Sequence, residues 1–211
     1  MAQRAESQCQ KAPRITHPGV VIIDAQPGFI DIMAGPRLPL VLRLERLLMM
    51  ADDLSLPVIG TFERPTVNGW LPERCEAAWP AQGIRLEKQL FDCCAHDDIL
   101  DAIRGLARHQ LLVAGAETDV CILQSVLSLL DHGFQVFLLE DVLFSSEPNV
   151  GPALRRMEAA GAVPCTLKSA YYELMRSVSV LDEPQSAGPG WSRLLSRFGE
   201  PEEWPPWREI S

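Results

Sequence analysis

Two side chains in this sequence stand where acyl-transfer chemistry would need them. Cys121 follows Gly115-Ala116-Glu117-Thr118-Asp119-Val120, where the apolar run Leu111 to Ala114 gives way to a helical pattern near Thr118. A thiol at such a strand-to-helix turn faces unpaired amides and the positive end of the helix dipole. Both favour a thiolate, and the amides could hold a developing oxyanion. Asp24 closes the β-branched run Val20-Val21-Ile22-Ile23, where a carboxylate has no packing role. In doubly wound sheets the carboxyl ends of the strands face the ligand crevice. If these two strands are neighbours, Asp24 and Cys121 share that crevice, an acid–base group beside a nucleophile. Each residue also has a plainer reading. Cys121 is equally one more small buried side chain, and Asp24 a loop cap accepting backbone N–H bonds. Lys88, after Ile84-Arg85-Leu86, reads on these grounds as a solvated surface lysine.

The elements that must position these groups alternate strand and helix. Leu38 to Leu54 has helical spacing, with Leu40, Leu44, Leu47 and Leu48 on one face and Arg43 and Arg46 elsewhere. Pro57 to Thr61 reads as a second strand, and Glu63 to Gly83, rich in Pro and Gly, as a long loop of the kind that carries function. Asp97 to Arg108 is helical, Leu111 to Ala114 a fully apolar strand, and Thr118 to His132 a helix closed by Gly133. Gln135 to Leu139, Val150 to Ala160 and Val163 to Thr166 continue as strand, helix and strand. The pattern predicts an α/β fold: a doubly wound, mostly parallel sheet of about six strands flanked by helices. Residues 1–18 form an N-terminal extension, 19–180 the domain, and 181–211 a C-terminal extension holding Trp191, Trp204, Trp207 and several prolines.

Composition narrows the setting. The chain has 211 residues, 47% hydrophobic and 22% charged, with a formal net charge of −9. That suits one globular domain with a substantial core and makes nucleic acid and anionic membranes poor partners. No apolar run approaches the roughly 20 residues of a membrane span, and no signal-peptide pattern precedes the first strand, so a cytoplasmic location is expected. Cys9, Cys75, Cys93, Cys94, Cys121 and Cys165 lack C-x-x-C or regular disulfide spacing and are expected to be thiols. There is no G-x-G-x-x-G, Walker, G-x-S-x-G or H-E-x-x-H pattern. His17, His96, His109 and His132 are scattered without metal-ligand spacing and read as structural.

Three motifs in order resemble those of the isochorismatase-like cysteine hydrolases, the superfamily of nicotinamidases and N-carbamoylsarcosine amidohydrolases. Asp24-Ala25-Gln26 with Phe29 resembles D-x-Q-x-x-F, Lys88 with Phe91 the lysine motif, and Gly115 to Cys121 the G-x-x-T-x-x-C motif. The likeness covers about Gly19 to Val178. It implies that Cys121 attacks a carbonyl-type carbon, that Asp24 shuttles the proton, and that Lys88 favours the charged forms of both. It further implies a cis peptide at Ala116–Glu117 and an oxyanion site at the amides of Glu117 and Cys121. Gln26, Phe29, Trp70 and Phe91 are the candidate substrate contacts.

Nicotinamidases carry a metal-binding Asp-x-His pair and a further His; this chain has Thr61-Phe62-Glu63-Arg64-Pro65 there and no histidine between His17 and His96. No metal and no cofactor are therefore expected. The leading expectation is hydrolysis of a small amide, carbamoyl or related C–N bond, with a small-molecule substrate and a homo-oligomeric assembly. Two alternatives stand beside it: an isochorismate-type ether hydrolase that needs no cysteine, and a catalytically silent binding or scaffold protein.

Overall fold

The computed structural model describes residues 13–175. The tryptophans of the C-terminal extension and Cys9 lie outside the described residues. Six strands form one sheet in the order β3-β2-β1-β4-β5-β6, and every neighbouring pair is parallel. They span Gly19–Ile23 (β1), Val58–Glu63 (β2), Ile84–Lys88 (β3), Gln110–Gly115 (β4), Gln135–Leu143 (β5) and Val163–Cys165 (β6). The chain builds outward through β2 and β3, then returns to lay β4 against the free side of β1. The β1/β4 pair is thus the place where strand order reverses, and side chains at its carboxyl end share a crevice.

The sheet is buried on both faces, and its side chains sort with a period of two. Val20 and Ile22 of β1, Leu112 and Ala114 of β4, and Phe137 and Leu139 of β5 enter one core. Val21, Ile23, Leu111, Val113, Val136 and Leu138 enter the other. The first core is covered by α2 (Arg37–Asp53) and α8 (Leu167–Leu174), the second by α5 (Asp97–Gly105), α6 (Leu123–Asp131) and α7 (Gly151–Ala159). Each fully buried Val, Leu, Ile or Phe contributes about 1.5–3 kcal/mol. The core also reaches before β1, since Ile15 is buried and its amide donates to Glu173 Oε1.

Several local expectations need correction. Glu63 to Gly83 is not a bare loop: it holds the end of β2 and two short helices, α3 (Pro65–Asn68) and α4 (Glu73–Ala77). The remaining short helix, α1, is Pro27–Ile30. Helix α2 is amphipathic as its spacing predicts, yet Arg46 is buried and Arg43 reaches Asp141 at the end of β5. The reason is that α2 packs against both α4 and α8 as well as the sheet. The helix expected from Thr118 runs unbroken to Asp131, but its first five residues, Thr118–Ile122, form a wide π-type turn before α6 begins. Strand β5 runs on to Leu143 past an irregularity opposite Val113–Gly115.

Candidate active site

The register brings three strand ends to one place. Ile23 pairs with Gly115 and with Thr61, and Glu63 pairs with Lys88. Asp24 follows β1 in left-handed backbone, φ +48, with its amide donating to the Thr61 carbonyl at 3.0 Å. An aspartate tolerates that conformation better than most residues. Across the switch, Gly115 has φ +117, and a Cβ there would lie 1.9 Å from the Ile23 carbonyl oxygen. Only glycine lets β4 approach β1 so closely, and Ala116 then donates to that same oxygen at 2.8 Å.

The turn after Gly115 carries the thiol. The Ala116–Glu117 peptide is cis, as the family resemblance implies. Thr118 anchors the turn to the end of β5 twice, through its amide at 3.0 Å and its hydroxyl at 3.1 Å, both donating to the Phe144 carbonyl. Its flanking carboxylates accept from the adjoining residues, Asp119 from Ser145 Oγ at 2.6 Å and Glu117 from the Ser146 amide at 3.0 Å. Cys121 is left 2% exposed.

Lys88, the last residue of β3, is not a surface lysine. It is 1% exposed, and its ammonium lies 2.6 Å from Asp24 Oδ2, 3.5 Å from Cys121 Sγ and 3.9 Å from Glu63 Oε2. The carbonyls of Leu90 and Phe91 accept from it at 3.0 and 3.4 Å. The segment supplying those carbonyls is itself tied down. His96 Nε2 accepts from the Gln89 and Leu90 amides at 3.2 Å each, and Ser125 Oγ accepts from the Cys93 amide at 2.9 Å.

Burial dominates the protonation of this group. It pushes the Asp24 carboxyl up to about 6, although the Lys88 charge and hydrogen bonds from Lys88 and Cys121 pull it down. Burial, and then the Asp24 charge, push the Cys121 thiol up to about 12 against Lys88. For Lys88, burial works against the ammonium, but Asp24, Cys121 and Glu63 outweigh it and the net shift is upward. A thiolate favoured by the helix end is therefore not the resting form: the group at neutral pH is a thiol beside an ammonium–carboxylate pair. The helix-end argument omitted the loss of water and the charge of Asp24.

The other sequence candidates divide. Gln26 is buried, and its side chain serves the main chain: Oε1 accepts from the Glu63 amide at 2.7 Å, while Nε2 donates to the carbonyls of Glu63, at 3.1 Å, and Gly69. Phe29 packs partly buried on the first core. Trp70 is 41% exposed, its ring 5.0 Å from that of Phe62. Phe91 enters the site through its carbonyl, and the residue is 53% exposed. Glu63 was missed by sequence reasoning, although it ends an apolar strand at the same edge as Asp24.

A divalent metal does not fit here. Asp24, Glu63 and Cys121 bring ligand atoms within 4.8 Å of one another, but the Lys88 ammonium sits among them and no histidine joins the set.

Comparison with known proteins identifies the family. The isochorismatase domain model matches residues 18–169, well over half of the chain. The chain belongs to the isochorismatase domain family. It is 30% identical over 141 residues to isochorismatase family protein 1B of Dictyostelium discoideum, covering 63% of this chain and 66% of that one, just under two thirds of the relative's length. Among solved structures of the fold, YcaC from Pseudomonas aeruginosa, described with hexane-2,5-diol and covalent acrylamide, superposes with TM-score 0.74 at 27% identity, covering 79% of this chain and 85% of that one. YcaC from Escherichia coli, described as an octameric hydrolase of unknown specificity, gives 0.73 at 26% identity, covering 78% and 83%. No helix among the described residues is long and apolar enough to cross a membrane.

Proposed function

We propose that this chain hydrolyses a small amide, carbamoyl or related C–N bond through a covalent intermediate on Cys121. The observation that carries the reading is the buried Lys88 ammonium in contact with both the Asp24 carboxylate and the Cys121 sulfur. Asp24 takes the thiol proton as the Sγ–C bond forms, and the substrate oxygen gains negative charge. The amides of Glu117 and Cys121 face that oxygen; among the described residues the Glu117 amide has no other acceptor. When the C–N bond breaks, Asp24 returns the proton to the leaving nitrogen, and an acyl group remains on sulfur. A water then yields a proton to Asp24 as its oxygen attacks, the C–S bond breaks, and sulfur regains the proton. A carboxyl near 6 suits both halves of this exchange at neutral pH. Lys88 keeps the charge balanced while Asp24 is ionised. Phe29, Trp70 and Phe91 contribute apolar walls to the substrate crevice.

The YcaC relatives, one described as a hydrolase and one with covalent acrylamide, support a reactive centre of this type. The test is a panel of small amides and carbamoyl compounds against wild type and Cys121→Ala, with intact-mass detection of the acyl-enzyme. Turnover and an adduct in wild type, both lost in Cys121→Ala, are expected. A vinyl ether added to the panel and turned over by Cys121→Ala but not by Asp24→Asn would point to cysteine-independent ether chemistry instead. An octameric relative also supports proposing a homo-oligomer, which light scattering checks.

A further inference from the structure

We infer that Glu63 sets the charge class of the substrate: the crevice takes an uncharged or cationic molecule with an N–H beside the reacting carbon, and rejects one with a carboxylate there. This rests on Cys121 being the reacting group of the proposed hydrolase.

Glu63 is fixed where it stands. Its amide donates to Gln26 Oε1 at 2.7 Å, and its carbonyl accepts from Gln26 Nε2 at 3.1 Å and Asn68 Nδ2 at 2.8 Å. Arg64 then turns the chain away in left-handed backbone, φ +39. With both main-chain groups clamped by side chains, the Glu63 carboxylate is held at the strand end, within 4.8 Å of the reactive atoms of Asp24 and Cys121.

That carboxylate is short of donors. Its side chain is 12% exposed, and its charged neighbours, Lys88 Nζ at 3.9 Å and Arg64 Nε at 3.7 Å, stand beyond hydrogen-bond length. Among the described residues no donor hydrogen-bonds to either oxygen. A largely buried carboxylate without donors is an acceptor waiting for an N–H. The proton transfers proposed above do not use it.

Charge points the same way. One ammonium, Lys88, faces two carboxylates, Asp24 and Glu63, and Arg64 is itself 61% exposed and screened by water. A substrate anion placed near Cys121 would meet excess negative charge in a site with little water, where like charges repel strongly.

The test uses the full chain and reagents that alkylate Cys121 directly. In each case Sγ bonds to the reagent carbon, the carbon–halogen bond breaks, halide leaves, and the thiol proton passes to Asp24 and then to water. Rates at Cys121 with iodoacetamide, iodoacetate and 2-bromoethylamine are read by peptide mass spectrometry and divided by their rates with 2-mercaptoethanol. In wild type, the normalised preference for iodoacetamide over iodoacetate is expected to be at least about tenfold, with 2-bromoethylamine also ahead of iodoacetate. Glu63→Gln keeps the main-chain clamp and should bring that preference to within about threefold by admitting iodoacetate. Equal normalised rates in wild type, a preference unchanged in Glu63→Gln, or a Cys121 closed to all three reagents would each overturn the inference. Equal wild-type rates decide against the inference even if that variant does not fold, and Glu63→Met, a second neutral side chain of similar length, then carries the assignment to Glu63. Selectivity without turnover of any C–N substrate leaves the charge preference of the crevice standing and removes the hydrolase reading; turnover without selectivity does the reverse.

Discussion

Lys88 Nζ lies 2.6 Å from Asp24 Oδ2, with both side chains wholly shielded from water. The two residues come from strands separated by β2, so the pair ties the far edge of the sheet to the switch point. Removing one member leaves the other charge buried and unpaired. Lys88→Met is expected to cost about 3–5 kcal/mol of stability, measured by denaturant unfolding. It also removes the charge that holds Asp24 down, so the carboxyl should titrate above its present value of about 6. The double variant Asp24→Asn/Lys88→Met should recover part of the lost stability. A single variant as stable as wild type would mean that the pair is solvated in solution.

Gly115 tests the approach of β4 to β1. Gly115→Ala puts a methyl group 1.9 Å from the Ile23 carbonyl oxygen in a backbone conformation with φ +117. A loss of about 3 kcal/mol or more is expected, from strain and overlap together. A melting temperature within a degree or two of wild type would show that the strands can separate there without harm.

Gln26 is expected to matter through the main chain. Gln26→Met fills similar volume but strands the Glu63 amide and removes the donor to the Glu63 and Gly69 carbonyls. Each buried group left without a partner costs about 1–3 kcal/mol. Unfolding measurements should show that loss, and proteolysis should quicken around α3. A loss of substrate affinity with unchanged stability would instead make Gln26 a substrate contact.

The Lys88 ammonium among Asp24, Glu63 and Cys121 implies that the site works without a transition metal. Elemental analysis of purified protein should find no stoichiometric zinc or iron, and chelator treatment should leave any activity unchanged. A bound equivalent lost together with activity would contradict this.

Much of this was legible in the sequence because two of the three central residues follow apolar strands, Asp24 directly and Cys121 one turn later. The runs before Asp24 and before Gly115 mark buried parallel strands, and a polar group at such an end has few purposes besides the crevice. Lys88 was legible only through its motif, since nothing in Ile84-Arg85-Leu86 announces burial; its partner Asp24 lies 64 positions earlier. Glu63 was hidden by its assignment to a loop, because Pro65 and Pro72 looked like punctuation. In fact they open α3 and introduce α4, helices too short to show periodicity. Arg46 seemed to lie off the apolar face of α2 because spacing shows which residues share a face, not which neighbours close over the others. The state of Cys121 went astray for a related reason: a helix end is visible in sequence, whereas lost hydration and a facing carboxylate depend on the fold.

The central claim is that Asp24 acts as the base for Cys121, and the pH dependence of Cys121 alkylation by iodoacetamide tests it most directly. Below its pKa of about 6, Asp24 is protonated and cannot accept the thiol proton; above it, the carboxylate can. The wild-type rate should therefore rise with pH through an inflection near 6, and Asp24→Asn should lose that inflection, leaving a single rise set by the thiol's own ionisation, which burial holds up and Lys88 draws down once the Asp24 charge is gone. A single rise near the ordinary thiol value of about 8.5, unchanged in Asp24→Asn, would contradict the account.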